Sequence, residues 1–478
     1  MQGHRFPKAG RTLRPRRGSC GGRAQTAPLM LALLAVLCAP GARAGDLAAI
    51  DGEPESPPQP LALSPPSEAH WSVHVQTTIV SQAHADFSAS YSGPNSMLTS
   101  EAPATAVVST VFATAKLGEG LALIFNPELS GGSGLSQTLG VGAYPNGLVY
   151  RVGDPAPSFV LARLLLRGTI GLGGEPVRLD AGPNQLEETV DSNRLTLSIG
   201  RLALPDVFDG NPYSHDADSQ FLGWGLMDSA AWDYAADTHG YTSGAIAELT
   251  WGSWSARFGA LLVGQSANQM AMEWRFWKAG SLNGELESRW SARGRPGAVR
   301  VAAFLNDARM GDYSQALAQS PVAPDVVATR AEGRIKYGLV ASANQELMAS
   351  GLGLFSRLSW NDGHTESWSY SEVDRSAALG VAADGAWWRR EGDSAGIAAV
   401  ASGLSNPHRR YLAAGGTGFI LGDGALDYRT EFVGEVYYRA RLNQNFAVTG
   451  TWQPVINPGY NRARGPIQFF ALRTHAAF

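Results

Sequence analysis

The chain has 478 residues, 44% of them hydrophobic and only 17% charged, with 56 glycines and a formal net charge of −4. Its mean hydropathy is −0.11. These averages are too polar for a bundle of membrane-spanning helices and too sparsely charged for an ordinary soluble helical enzyme, but they suit many strands with one polar face.

Residues 1–44 differ from the rest. They carry Arg5, Lys8, Arg11, Arg14, Arg16, Arg17, Arg23 and Arg43 and no acid. An apolar run over 27–39 follows the basic stretch, and Ala42-Arg43-Ala44 supplies a small-x-small cleavage site. That order predicts a secretory signal peptide over 1–44. The apolar run is shorter than the roughly 20 residues a spanning helix needs. Both cysteines, Cys20 and Cys38, leave with the signal, so stability has to come from something other than disulfides. Removing those eight basic residues from 38 leaves 30 against 42 acidic ones, a net charge of −12, which argues against nucleic acid as a partner. Residues 45–70 hold Pro54, Pro57, Pro58, Pro60, Pro65 and Pro66 and read as an extended periplasmic linker.

From Trp71 the dominant signal is a two-residue alternation. In 107–117 the odd positions are mostly apolar. In 160–170 the even positions Val160, Ala162, Leu164, Leu166, Gly168 and Ile170 are apolar or Gly, with Arg163 and Arg167 between them. Trp254, Ala256, Phe258, Ala260 and Leu262 share one face opposite Arg257. Thr430, Phe432, Gly434, Val436, Tyr438 and Ala440 share another opposite Glu431, Glu435 and Arg439. Several segments reach the nine or so residues a membrane strand requires, beyond the five or six of a globular strand. Short turns such as 116–120 alternate with longer polar stretches near 129–157, 171–192, 206–242, 307–328 and 361–374. The pattern predicts an all-β, transmembrane antiparallel β-barrel over 71–478, of roughly 16 to 18 strands. Its last strand would present Phe478, Ala476, Thr474, Leu472 and Phe470 on one face and Ala477, His475, Arg473 and Ala471 on the other. A terminal Phe on an alternating strand resembles the signal read by outer-membrane barrel assembly machinery. Trp251, Trp254, Trp274, Trp290, Trp360, Trp452, Tyr438 and Tyr460 are candidate interfacial girdle residues.

Four stretches resemble the carbohydrate-selective porin (OprB-like) family. The first runs from Gln82 through Phe87, Tyr91, Gly93, Pro94 and Asn95 to Ser96. The densest contains Phe208-Asp209-Gly210-Asn211-Pro212-Tyr213-Ser214-His215-Asp216. It continues through Gln220-Phe221 and Trp224-Gly225-Leu226-Met227 to Trp232-Asp233-Tyr234-Ala235-Ala236-Asp237 and Gly240-Tyr241-Thr242. The others are 431–439 and 453–459. The resemblance implies a 16-stranded, monomeric or loosely oligomeric outer-membrane barrel for passive uptake of small carbohydrates, with a pore narrowed by infolded loops. The linker and the loops at 129–157 and 307–328 match no part of the family pattern, which leaves the identity of the sugar open.

A sugar offers hydroxyls and an apolar face, so a selective pore needs directed donors, acceptors and aromatic rings. The stretch 207–242 holds such types: Asp209, Asn211, Tyr213, Trp224, Trp232, Asp233, Tyr234 and Asp237. They either line a constriction or hydrogen-bond the loop itself. Alternation turns a second set inward: Arg163, Arg167, Arg257, Glu285, Glu287, Arg289, Glu332, Arg334, Glu431, Glu435 and Arg439. Both signs occur, as in a filter of mixed polarity or a wall of ion pairs. G-x-S-x-G and H-E-x-x-H are missing, and Phe221 stands where a calcium loop beginning at Asp216 would need Gly. No enzymatic activity, cofactor or metal is therefore expected. The expected partners are small carbohydrates, outer-membrane lipid and, through Phe478, the assembly machinery. The alternatives are a general diffusion porin and a non-conducting structural or adhesin barrel.

Overall fold

The computed structural model describes residues 70–149, 157–349 and 351–478. The expected signal peptide, and all of the expected linker but its last residue, His70, lie outside the described residues. Eighteen strands follow in chain order: β1 (Trp71–His84), β2 (Ala104–Gly118), β3 (Leu121–Gly132), β4 (Ser158–Gly171), β5 (Pro176–Leu179), β6 (Glu188–Asp191), β7 (Arg194–Leu202), β8 (Thr242–Trp251), β9 (Trp254–Leu261), β10 (Gly280–Ala292), β11 (Arg295–Ala308), β12 (Arg334–Met348), β13 (Leu352–Asn361), β14 (Arg375–Asp384), β15 (Ser394–Gly403), β16 (Glu431–Arg441), β17 (Phe446–Ile456) and β18 (Ile467–Ala477). Sixteen of them close into one barrel in which β7 follows β4, while β5 and β6 form a separate hairpin. Each barrel strand pairs antiparallel with the next, and β1 closes on β18 from Gln76↔Ala477 to His84↔Phe469. Phe478 completes the seam by exchanging backbone hydrogen bonds with Val75 at 2.8 and 2.9 Å. Closure matters because an unpaired backbone edge in hydrocarbon has no water to bond.

The alternation sorts side chains as the sequence predicts. Phe432, Val436 and Tyr438 face outward, and Glu431 and Glu435 are buried inside. In β18, Phe470 and Leu472 point out and Arg473 is fully buried. One phase breaks. Opposite Asn126 and Pro127, β4 holds an extra residue, Ala162, so its pairing jumps from Arg163 to Leu161. This bulge turns Val160 and Ala162 inward, whereas Leu164, Leu166 and Ile170 face out. The single apolar face expected over 160–170 is therefore two faces joined at a bulge. Exposed Trp71, Trp251 and Trp254 ring one end of the barrel, and Trp360 and Trp452 ring the other. Trp274 and Tyr438 are also exposed and Trp290 is half-buried. Tyr460 is no girdle residue. It is wholly buried, donates to the Glu372 carbonyl at 2.8 Å and stacks on Tyr428.

Chain direction puts Trp71, Phe478 and the short turns after β2, β8, β10 and β12 at one end, here called the termini end. The stretches 133–149, 203–241, 309–333, 362–374 and 404–430 lie at the loop end. The stretch read from sequence as polar over 171–192 forms the connection 172–193, which lies on the short-turn side and carries the β5–β6 hairpin. Alternation along a strand reveals its faces but not which end a connection occupies, and only counting every strand in order settles that.

Two loop-end helices pack together: α1 (Tyr313–Gln319), capped by Asp312, and α2 (Asn406–Ala413), capped by Ser405. His408 of α2 stacks on Tyr313 at 4.3 Å between centroids and lies 3.0 Å from Asp374 and 3.7 Å from Glu372. Burial lowers the His408 pKa, but the two carboxylates outweigh it and hold the ring up to about 9. A folded-state value above the ordinary 6.5 stabilises the loop cluster fully below pH 6.5 and loses that contribution as pH rises through about 9. The denaturant stability difference between the parent protein and His408→Gln should therefore shrink steadily between those limits. A difference that does not vary with pH contradicts this. On the outer wall, Leu379→Arg at a mid-strand lipid-facing site should cost about 2–4 kcal/mol in folding into phospholipid vesicles.

Candidate functional site: an infolded loop and the cavity beside it

Loop 203–241 turns into the barrel, and inward side chains of the wall hold it there. Two strand carboxylates accept its backbone N–H groups. Glu285 of β10 accepts from Asp209 at 2.8 Å, and Glu435 of β16 accepts from Leu222 and Gly223 at 2.6 and 2.9 Å. Strand cations take its acceptors. Arg357 of β13 bonds the Asp209 carboxylate at 3.0 Å and the Leu226 and Ser214 carbonyls at 2.7 and 2.5 Å. Lys336 of β12 lies 3.2 Å from Asp233, and Arg473 of β18 donates to Ala217 and Gln220. Trp232 donates to Asn283 at 3.1 Å. Neighbouring loops join in. Asp233 accepts the N–H groups of Trp368 and Ser369 at 2.7 Å each, and Glu431 accepts those of Gly142, Ala143 and Gly459. Buried ions with so many partners are costly to disturb singly.

The wall charges therefore divide by job. Arg257 joins Glu248, Glu285 and Glu287, while Arg289 and Arg300 both reach Glu287. Arg439 donates to the Gly392 carbonyl at 3.2 Å. Arg334, the first residue of β12, lies 3.8 Å from Asp312. Glu332, expected on an inward strand face, precedes β12, is mostly exposed and pairs with Lys278 at 3.4 Å. Alternation does not extend past a strand's end, so its parity there carried no information.

These anchors lie on β10–β18, whereas fewer ties, Gln76–Asp218, Tyr241–Glu128, Arg163–Asp206 and Arg201–Asp237, reach the loop from β1, β3, β4 and β7, and space remains on that side of the wall. A cavity of about 390 Å³ separates the loop residues Trp224, Tyr234 and Asp237 from Thr110, Glu128 and Arg163 of β2–β4. Arg163 grips Asp206 through two bonds of 2.5 and 2.6 Å. Burial raises the Asp206 pKa, but Arg163 outweighs it, so the carboxylate stays below its usual range. Tyr241 lies between two guanidinium groups, those of Arg163 and Arg201, each 5.6 Å from its ring centroid. Its hydroxyl donates to Glu128 at 2.8 Å, and Thr110 donates to the same carboxylate at 2.9 Å. Arg201 pairs with Asp237 at 2.5 Å. Tyr234 and Trp224 pack on Tyr370, at 4.8 and 5.7 Å between centroids. Burial drives the phenols of Tyr234, Tyr241 and Tyr370 well above their usual pKa, so each remains a neutral donor.

Of the residues singled out from sequence, Arg163, Trp224, Tyr234 and Asp237 line this cavity, and Arg167 lines a second one nearer the termini end. Asp209, Asn211, Trp232, Asp233, Arg257, Glu285, Arg289, Glu431, Glu435 and Arg439 line neither. Asn211 bonds its own loop at Tyr213 N, 3.0 Å away. Tyr213 lies flat on Gly353 of β13, where any Cβ would meet its ring at 2.0 Å. Glu128, Asp206 and Tyr241 were not singled out. Inward parity along β3 would have flagged Glu128, which follows Pro127 at the bulge, and Tyr241 stands in the family-like block 207–242, but nothing local marks Asp206.

Among known proteins, the model of the carbohydrate-selective porin, OprB family, matches residues 111–478. No curated protein matches the chain by sequence. The structure is similar to OprB of Pseudomonas putida in its high-pH form, with a TM-score of 0.62 and 13% identity over 86% of this chain and 94% of that one. The outer-membrane channel DcaP of Acinetobacter baumannii aligns with a TM-score of 0.46 and 7% identity over 85% of this chain and 97% of that one.

Substituting Arg357→Met leaves Asp209 buried without its cation, a loss of about 3–5 kcal/mol at that anchor. The loop should then leave the lumen, seen as faster proteolysis within 203–241 and a larger single-channel conductance. Unchanged conductance contradicts the pinning role.

Proposed function

Because the chain belongs to the carbohydrate-selective porin family, OprB, we propose that small sugars cross the outer membrane passively between loop 203–241 and the inner faces of β2–β4. The observation that carries this is the uneven anchoring of the loop, denser on β10–β18 than on β1–β4. It leaves a cavity of about 390 Å³ in which aromatic rings and directed polar groups of both signs face each other. Such a surface suits a neutral polyol. Glu128 and Asp206 can accept from hydroxyls, Arg163 and Tyr241 can donate to them, and Tyr234 or Trp224 can meet the apolar ring face. The internal pairing of each charge keeps the attraction for any one ligand modest, and modest attraction permits release. Arg167 meets the sugar further along. Asp209, Asn211, Tyr213, Trp232, Asp233, Glu285 and Glu435 act as scaffold that fixes the loop, Glu431 holds neighbouring loops, and Arg257, Arg289 and Arg439 brace the wall.

On this reading the protein is a channel and carries out no chemistry on its solute. The outward apolar band meets lipid, and Phe478, exposed beside Phe446 at 5.6 Å between centroids, is the residue offered to the assembly machinery. Short turns of outer-membrane barrels face the periplasm, which makes the termini end the exit side for an incoming sugar.

In planar bilayers, glucose should reduce the single-channel current in a saturable way. Glu128→Gln should weaken that block about tenfold, the worth of one hydrogen bond to a charged group. A current indifferent to glucose supports a general diffusion pore instead, and an absence of conductance supports a structural barrel.

A further inference from the structure

The hairpin at the termini end does more than connect β4 to β7. It is braced internally: Arg178 pairs with Glu187 at 2.7 Å, Gln185 with Glu188 at 3.0 Å, and Gly182 and Gln185 exchange backbone bonds of 3.0 Å. Its tip is fixed to the wall, where Arg167 of β4 donates to the Asn184 carbonyl at 2.9 Å and Leu186 is buried. Asn184 holds this bend in the left-handed region at φ 63°, a conformation Asn tolerates better than most residues.

Beneath the tip lies the second cavity, of about 300 Å³, against the inner faces of β2–β4. His70, Thr114, Lys116, Arg167, Glu187 and Glu188 surround it. Asn184 borders both cavities, so the tip stands between them. Two buried polar atoms here have no hydrogen-bond partner within the protein, the Thr114 hydroxyl and the Asn184 side-chain oxygen. Two more, Ser72 Oγ and His74 Nε2, lie on the neighbouring strand β1, where Ser72 is paired with Thr114. Buried polar atoms nearly always find partners, so Thr114 and Asn184 here must be met by water or by another hydroxyl-bearing molecule that enters the cavity.

We propose that this hairpin and the inner wall of β2–β4 form a second polyol-binding chamber on the exit side, in series with the first. A sugar leaving the constriction is rebound beneath Asn184 before it reaches the periplasm, and the pore discriminates twice. The inference rests on the uptake reading above. The chamber is small, its orphaned atoms are neutral, and its basic residues face Glu187 and Glu188. Its ligand is therefore a neutral monosaccharide rather than an acidic one.

The test is glucose block of single channels with sugar added to one side at a time. The parent protein should show two kinetic components, one of them stronger from the termini side. Thr114→Val should weaken only that component, by about threefold to tenfold, the effect of one lost hydrogen bond, and Asn184→Gly should weaken it by a similar factor. Replacing residues 176–191 by Asn-Gly should abolish it, raise conductance and leave the other component in place. Termini-side block that is unaltered in Thr114→Val and Asn184→Gly overturns the chamber while leaving the uptake reading standing. A parent channel that glucose never blocks overturns both.

Discussion

A chain segment placed inside a membrane barrel brings backbone N–H and C=O groups into a space where each must find a partner. In this protein the inner wall supplies those partners from a few long side chains. Glu285, Glu431 and Glu435 receive loop N–H groups, and Arg357 and Arg473 donate to loop carbonyls. The inward charges are thus spent first on loop architecture. Their placement on β10–β18 decides where the remaining space lies, and the cavity against β2–β4 follows from it.

That arrangement explains how a wall with both signs can serve a neutral solute. Ion pairs such as Arg163–Asp206 and Arg201–Asp237 cancel much of each other's field while leaving directed donors and acceptors at the cavity edge. Tyr241, held between two guanidinium groups, ties the loop to Glu128 on the opposite wall. Its bond to Glu128 crosses from the infolded loop to β3, so the constriction is bounded by strand on one side and loop on the other.

Much of the barrel was legible in the amino-acid sequence because a period of two is local and a membrane strand is long. The inward turn of Glu431 and Glu435, the outward turn of Phe470 and Leu472, and a strand number near 16 all follow from it. The bulge at Ala162 was not legible, since one inserted residue leaves an apolar run that still looks continuous. The side on which 172–193 lies depended on every other connection. The site itself was the least legible part. Parity says that Glu285 and Arg163 both face the interior, but not that one is covered by loop backbone while the other borders a cavity. The block 207–242 was recognisable as special, yet its most conspicuous members, Asp209, Trp232 and Asp233, are anchors.

The infolded loop is held chiefly by β10–β18 and leaves the passage beside β1–β4. Cys20 and Cys38, the only cysteines, both precede the barrel, so single cysteines can report on each half. Gln76 of β1 borders the cavity, whereas Ser281 of β10 is fully buried. With a charged, sugar-sized thiol reagent applied to reconstituted channels, Gln76→Cys should react quickly and its current should fall, while Ser281→Cys should stay unmodified. Equal reactivity at the two sites, or the reverse order, would contradict the account.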